Sequence, residues 1–326
     1  MAYGSIERLV MLLDRALVAN GHESVVLGLG GSRVAGDLEM VRDRAGYVAQ
    51  VQRAVELADS VDVIHVHRRE IFDLGAADWI RARLPRVKIV ATLHGAPDRV
   101  RAYYADHRVA GHFVFVSRAQ ARGLPELSGT VVRNAIAVGD VPFGKRAICP
   151  AFVSFVGRIG DEKGVAEAID VAAALGLPLK IGGVVQDQDQ SYFETMIRPR
   201  LMQGVVDLVG PVDDDAKYAL LGASTALMLL PKYEDPCPLV VIEALAAGTP
   251  VLGLARGGLP ELVTDGVTGL LAADVDALVS KASRLSGMDR QACRRTAEAR
   301  FDVQRMLGEY LRVYRGTSAP PSASRT

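Results

Sequence analysis

Cysteine is scarce in this chain: three residues in 326, at Cys149, Cys237 and Cys293. They are far apart and odd in number, which argues against a disulfide framework and fits a reducing compartment. No Cys-x-x-Cys pair and no Cys/His cluster stands at zinc spacing, so a structural zinc is not expected. An excess of either charge is also missing, since Lys+Arg and Asp+Glu both total 38. A general polyanion binder needs clustered excess base, so nucleic acid is not an expected partner. No apolar run reaches the roughly 18–20 residues that a membrane-spanning helix needs. Glu7 and Arg8 interrupt any early apolar region, so no signal peptide is read and a cytoplasmic location is expected. Residues 1–150 carry a net +4 and the remainder a net −4. This mild dipole allows at most a peripheral membrane contact or attraction of an anionic substrate.

Hydrophobic residues are 49% of the chain and charged residues 23%, the mixture of a globular protein long enough for two domains. Helices are read over residues 6–20, 47–58 and up to about 84; short β-branched runs over 23–29, 61–66, 87–93, 111–116 and 129–133 read as strands. Residues 30–50 and 95–110 carry no readable code beyond loops and one helix, and serve as candidate acceptor-binding segments. Tyr103, Tyr104, Arg99 and Arg101 there fit an acceptor surface or a solvated helix face equally well. Glycines and prolines gather over 134–150, which reads as a linker. The alternation then restarts, with strands over 152–156, 179–183, 205–209, 226–230 and 250–254. The helices between them cover 192–201, 213–221 and 239–247, and three more follow over 273–286, 289–299 and 302–314. The Ser/Pro/Ala-rich residues 317–326 read as a disordered tail. Strands alternating with helices on both sides of one linker imply two doubly wound α/β domains with parallel sheets. The expected organisation is an N-terminal domain over 1–145, a C-terminal domain over 146–300 and a closing helix over 301–316. The expected ligand site is a central cleft that the two domains face.

Two segments carry most of the chemistry. In the first, FVGRIGDEKG over 155–164, a strand ends at Val156, Gly157 turns the backbone, and Arg158 and Lys163 follow. Two cations beyond a strand's carboxyl end suit a diphosphate, Arg158 through a planar fork and Lys163 as a point charge. The alternative is a surface turn with solvated cations. In the second, YEDPCPLVVIEALAAGTP over 233–250, Pro238 opens a helix whose first N–H groups, near Leu239 and Val240, favour a phosphate. Glu243 sits in that otherwise apolar helix and needs a partner. It is either an acceptor for ribose hydroxyls or one half of a structural ion pair. Asp235, eight positions earlier, could reach the same ligand. All six histidines lie in the first half, and His94 ends the strand ATLH before Gly95. His65 and His67 share a strand face but lack a third ligand, so a metal is not expected. Each histidine also reads as an ordinary structural residue.

Taken in order, these segments resemble the retaining nucleotide-sugar glycosyltransferases of family four, which have the GT-B fold. The resemblance covers nearly the whole chain. It rests on YGSIERLV over 3–10, NGHE over 20–23, DVIHVH over 62–67, TLHG over 92–95, VSR over 116–118 and RNAI over 133–136. In the second half it rests on Gly157-Arg158, Glu162-Lys163-Gly164, the Asp235…Glu243 pair and GGLPE over 257–261. The resemblance implies a C-terminal domain that holds a nucleotide diphosphate sugar and an N-terminal domain that holds the acceptor. Gly157, Arg158 and Lys163 then face the diphosphate, Glu243 the ribose, and Asp235 with the adjacent Glu234 the sugar hydroxyls. Gly4 lets the backbone approach the phosphates, and His94 contacts the transferred sugar near the reaction centre. The resemblance implies no metal and no further cofactor, and an acceptor that is a small molecule, a glycan or a lipid-linked sugar. Four positions depart from the family pattern. Only Met1 and Ala2 precede Tyr3-Gly4, so the first N-terminal strand is expected to be absent. Ser5 replaces a glycine, Asp235 replaces the first Glu of Glu-x7-Glu, and Cys237-Pro238 stands where an aromatic-Gly pair is usual.

Two rival functions follow. A nucleotide-sugar epimerase needs further acid/base groups that the sequence does not display. A catalytically impaired binding or partner subunit is motivated by the missing first strand. A glycoside hydrolase would need two carboxylates flanking the bond, and Asp235 and Glu243 are better explained as donor contacts.

Overall fold

The computed structural model describes residues 4–29, 34–41, 47–67, 76–104, 112–201, 204 and 206–316. The chain forms two units: Ala2–Ala135 together with Val303–Thr326, and Ile136–Asp302. Both are α/β with parallel strands only, among the described residues. The expected tail over 317–326 lies outside the described residues.

In the first unit α1 (Ser5–Ala19) buries Leu9, Leu13, Asp14 and Ala16; of Ile6, Val10, Leu13 and Leu17, whose three-to-four spacing predicts the helix, only Leu13 is fully buried. Gly4 is its N-cap. The expectation of an absent strand concerns residues 1–3, which lie outside the described residues. Strands β1 (Val25–Leu29) and β2 (Asp37–Val41) pair as one sheet, and β3 (Val63–Val66), β4 (Lys88–Leu93), β5 (His112–Phe115) and β6 (Gly129–Val131) form a second, in chain order. Strand β2 falls in the stretch 30–50 read as a loop. Its alternation is weak, and pairing with β1 rather than any apolar run makes it a strand. The 95–110 stretch, also read as loop, contains the helix Pro97–Tyr104. Strand β4 is buried from Ile89 to Leu93. The amphipathic helix Val303–Arg315 buries Met306, Leu307, Tyr310 and Val313 within this unit. It is tied to β4 by Thr92 Oγ1 and Tyr310 OH at 2.9 Å.

The second unit has six strands: β7 (Val153–Val156), β8 (Leu179–Gly182), β9 (Val206–Gly210), β10 (Leu227–Leu229), β11 (Val251–Leu254) and β12 (Gly269–Ala272). Their spatial order is β12-β11-β10-β7-β8-β9. From β7 the chain winds one way to β8 and β9, then crosses back to β10 and continues through β11 to β12. This is a doubly wound sheet, and its order reverses between β7 and β10. Strand β12 (GLLA) is not among the strands read from the sequence; its register with β11 fixes it. The core is built from Phe155, Leu179, Ile181, Met228 and Leu252, in the near-continuous apolar runs of strands covered on both faces, and from helix residues such as Ile169. The glycine- and proline-rich stretch read as a linker is packed into this unit. Arg290 donates to the carbonyls of Gly144, Gly222 and Ser224 and to Thr249 Oγ1, and Arg294 donates to Val141 and Ala246. Among the described residues no helix is long and apolar enough to cross a membrane.

Candidate functional site

The reversal between β7 and β10 places two loops side by side beyond the carboxyl ends of their strands. After β7 come Gly157 and Arg158, then a tight turn Asp161–Lys163 and Gly164. Gly164 has φ +72 and leads into α2 (Val165–Ala174). A Cβ there would collide with the Leu230 carbonyl at the end of β10. The left-handed conformation and that close approach both demand glycine. Lys163 is thereby delivered to the β10 loop.

There Lys163 Nζ donates to Tyr233 OH and lies 3.3 Å from Asp235 Oδ2, and Tyr233 OH donates to the same oxygen at 2.6 Å. Arg158 pairs with Asp189 Oδ2 at 2.6 Å and with Glu162. Burial works against the Arg158 charge, but hydrogen bonding to Asp189 and the field of Glu162 outweigh it and raise its pKa. Neither cation is solvated in the way a simple surface turn would leave it. Each is held at a defined place by carboxylates.

The two adjacent acids point differently. Glu234 Oε2 accepts from the Gly257 N–H at 2.7 Å, and the Gly258 N–H donates to the Asp235 carbonyl at 2.9 Å. Glu234 therefore ties down the neighbouring loop, while Asp235 is the acid presented to Lys163. Helix α4 (Leu239–Ala246) opens after Pro238 without a side-chain cap, and Leu239 and Val240 in its first turn are half-buried. Glu243 pairs at 2.6 Å with Lys217 of α3 (Asp214–Ala223), and Lys217 Nζ also lies 3.1 Å from Asp214. The ion-pair alternative for Glu243 is thus present in the structure.

His94 and Gly4 belong to the other unit. His94 follows β4 directly, and its Nε2 lies 3.0 Å from His67 Nδ1 with the rings stacked. His65 Nε2 meets Thr92 Oγ1 at 2.8 Å, and its Nδ1 meets Tyr314 OH at 2.7 Å. Burial lowers the three pKa values, to about 4 for His94, to about 3 for His65, where the field of His94 adds to it, and well below normal for His67. The rings are neutral near pH 7. They are a packed, hydrogen-bonded cluster, and each bonded pair of ring nitrogens must adopt complementary tautomers. Leu9, Leu13, Asn134, Met306 and Tyr310 line one small pocket with His67 and His94. Among the described residues no group of three His, Cys, Asp or Glu side chains is arranged to hold a metal.

Three partners escaped sequence reasoning. Tyr233 is adjacent to the motif but carries no pattern of its own. Asp189 and Lys217 lie 31 and 26 residues from Arg158 and Glu243 and meet them only through the sheet order.

The fold is that of the GT-B glycosyltransferases, whose solved structures superpose on nearly the whole chain. Residues 147–300 match the family described as "Glycosyl transferases group 1". Among curated relatives, glycogen synthase of Mycobacterium tuberculosis is 35% identical over 207 residues, which is 59% of this chain and 49% of the relative. The D-inositol 3-phosphate glycosyltransferase of Mycolicibacterium smegmatis is 35% identical over 122 residues, covering 36% of this chain and 28% of the relative. The chain thus spans about half the length, or less, of these relatives. Among solved structures, AviGT4, a glycosyltransferase involved in avilamycin A biosynthesis, superposes with a TM-score of 0.72 at 24% identity over 96% of this chain and 90% of its own. Anabaena HepE in complex with UDP-glucose gives 0.75 at 18% identity over 96% of both chains. At these identities the structures show the fold.

Proposed function

We propose that the chain transfers a sugar from a nucleoside diphosphate sugar to an acceptor hydroxyl, with retention of configuration and without a metal. The observation that carries this reading is the meeting, at the sheet's reversal point, of Arg158 and Lys163 from one loop with Asp235 and the uncapped start of α4 from the other. Ligands of doubly wound sheets bind at that point. Two cations and a helix N-terminus there match a diphosphate. As the bond to the sugar breaks, charge collects on the departing phosphate, and fixed cations stabilise it without reorganising. Asp235 then serves the sugar hydroxyls and Glu243 the ribose. His94 contacts the transferred sugar, and Gly4 admits the phosphates. The names of the two curated relatives point to different acceptors or products, and the similarly folded HepE was solved with UDP-glucose, which supports a nucleotide-sugar donor.

The test is a thermal-shift panel of nucleoside diphosphates and their sugars, followed by a transfer assay, on the protein and on Lys163→Ala. A ligand at about 100 times its Kd adds about 2.7 kcal/mol of stability. One nucleotide should give such a shift, and Lys163→Ala should lose it. Turnover should fall about 10²–10³-fold while the unliganded melting temperature is kept. Near-normal turnover in that variant would overturn the assignment.

A further inference from the structure

The Lys217–Glu243 pair is more enclosed than folding requires. The two side chains are 7% and 5% exposed. Lys217 lies 4.7 Å from the Tyr218 ring centroid, and the neighbours of Glu243 along α4 (Val241, Ile242, Ala244, Leu245, Ala246) are all buried. A buried ion pair is generally no more stable than well-packed apolar residues of the same volume. Two aliphatic side chains would therefore close this gap between α3 and α4 at least as well.

The position of the pair supplies the missing reason. Helix α3 starts beyond the carboxyl end of β9 and α4 beyond that of β10, and Lys217 and Glu243 are the fourth and fifth residues of their helices. Both therefore lie toward the sheet edge where parallel folds bind ligands, the edge that also holds Lys163 and Asp235. A carboxylate offers about four acceptor positions, and the Lys217 ammonium on Oε1 takes one of them while orienting the group. It also balances a negative charge that would otherwise face a diphosphate.

We propose that Lys217 is a positioning residue, which holds the Glu243 carboxylate fixed and charge-balanced for the vicinal diol of a ribose. The proposal rests on the donor reading above and adds the residue that gives it selectivity for ribonucleotides.

The experiment is isothermal titration calorimetry with ADP, GDP, UDP and CDP and their 2′-deoxy counterparts. The proteins are the unsubstituted chain, Lys217→Arg, Lys217→Met, Glu243→Gln and the Lys217→Met/Glu243→Gln double variant. The Gln variants carry no bare buried carboxylate, so the series remains readable if Lys217→Met alone does not fold. The unsubstituted protein should prefer one ribonucleotide over its deoxy form by about tenfold or more, the scale of a hydrogen bond to a charged group. Lys217→Arg should keep most of that preference. Lys217→Met should lose most of it, and adding Lys217→Met to Glu243→Gln should lower it no further, with deoxynucleotide affinity unchanged, because Lys217 acts through the Glu243 carboxylate. A full ribose preference in Lys217→Met, or a further loss on adding Lys217→Met to Glu243→Gln, would overturn the role of Lys217 and leave the donor site standing. Equal binding of ribo and deoxy forms by the unsubstituted protein would overturn the Glu243–ribose contact. Failure of all eight nucleotides to bind would overturn the donor reading itself.

Discussion

Arg158 is held from two sides, by Asp189 from the turn after β8 and by Glu162 from its own loop. Its guanidinium plane is set before any ligand arrives, which spares the entropy of ordering a long side chain. Lys163 is anchored by Tyr233 and Asp235. In the proposed reaction a diphosphate takes over Lys163 and releases Asp235 to the sugar. Removing an anchor should therefore weaken binding more than chemistry. Asp189→Ala is expected to raise the KM for the sugar donor by about tenfold, the worth of one well-formed charged hydrogen bond, with a smaller change in kcat. Steady-state kinetics with varied donor decides it: a fall in kcat at constant KM would mean that Asp189 acts on the transition state instead.

At the scale of elements, the loops after β7 and β10 are locked together through Gly164. Alanine there meets two penalties, a left-handed φ and a collision with the Leu230 carbonyl. Such strain costs of order 1–3 kcal/mol per feature, so Gly164→Ala should destabilise the protein by at least about 2 kcal/mol in urea unfolding. It should also abolish the nucleotide thermal shift by displacing Lys163. A variant with full stability would show that the loops are not coupled. Most elements were legible in the sequence because apolar patterning survives local noise, as in the buried run of β4; in α1 the periodicity located the helix but not its buried face, which is Leu9, Leu13 and Ala16. Strand β2 and strand β12 were not legible. Each is defined by a neighbour, β1 and β11 respectively, rather than by its own residues.

For the molecule as a whole, the histidine cluster sets an acid limit. His65 and His94 titrate near 3 and 4 when folded, against 6.5 as the ordinary value. Below pH 6.5 the unfolded chain binds protons that the folded rings refuse. The difference in bound protons is positive, so stability falls as pH falls from about 6.5 toward 4. Each histidine contributes a slope of up to about 1.4 kcal/mol per pH unit. Urea unfolding at pH 7, 6, 5 and 4 should show this decline, and His94→Asn should flatten it by roughly one proton's worth. An unchanged slope in the variant would place the acid sensitivity in the carboxylates.

The sequence by itself determined the α/β architecture, the restart after residue 150 and the turn that places Arg158 and Lys163 beside Gly157 and Gly164. Those positions are readable because backbone turns need particular residues, and turns are local. The tertiary structure decided the rest. It showed that Asp235 faces Lys163 while Glu234 ties down the Gly257 loop, that the stretch 136–150 packs within the second unit, and that Asp189, Tyr233 and Lys217 partner Arg158, Lys163 and Glu243. Such pairings cross up to 72 residues of chain. Each depends on which elements lie side by side, and for Lys163 with Tyr233 and Asp235 on the reversal between β7 and β10, a long-range fact that no window of sequence contains.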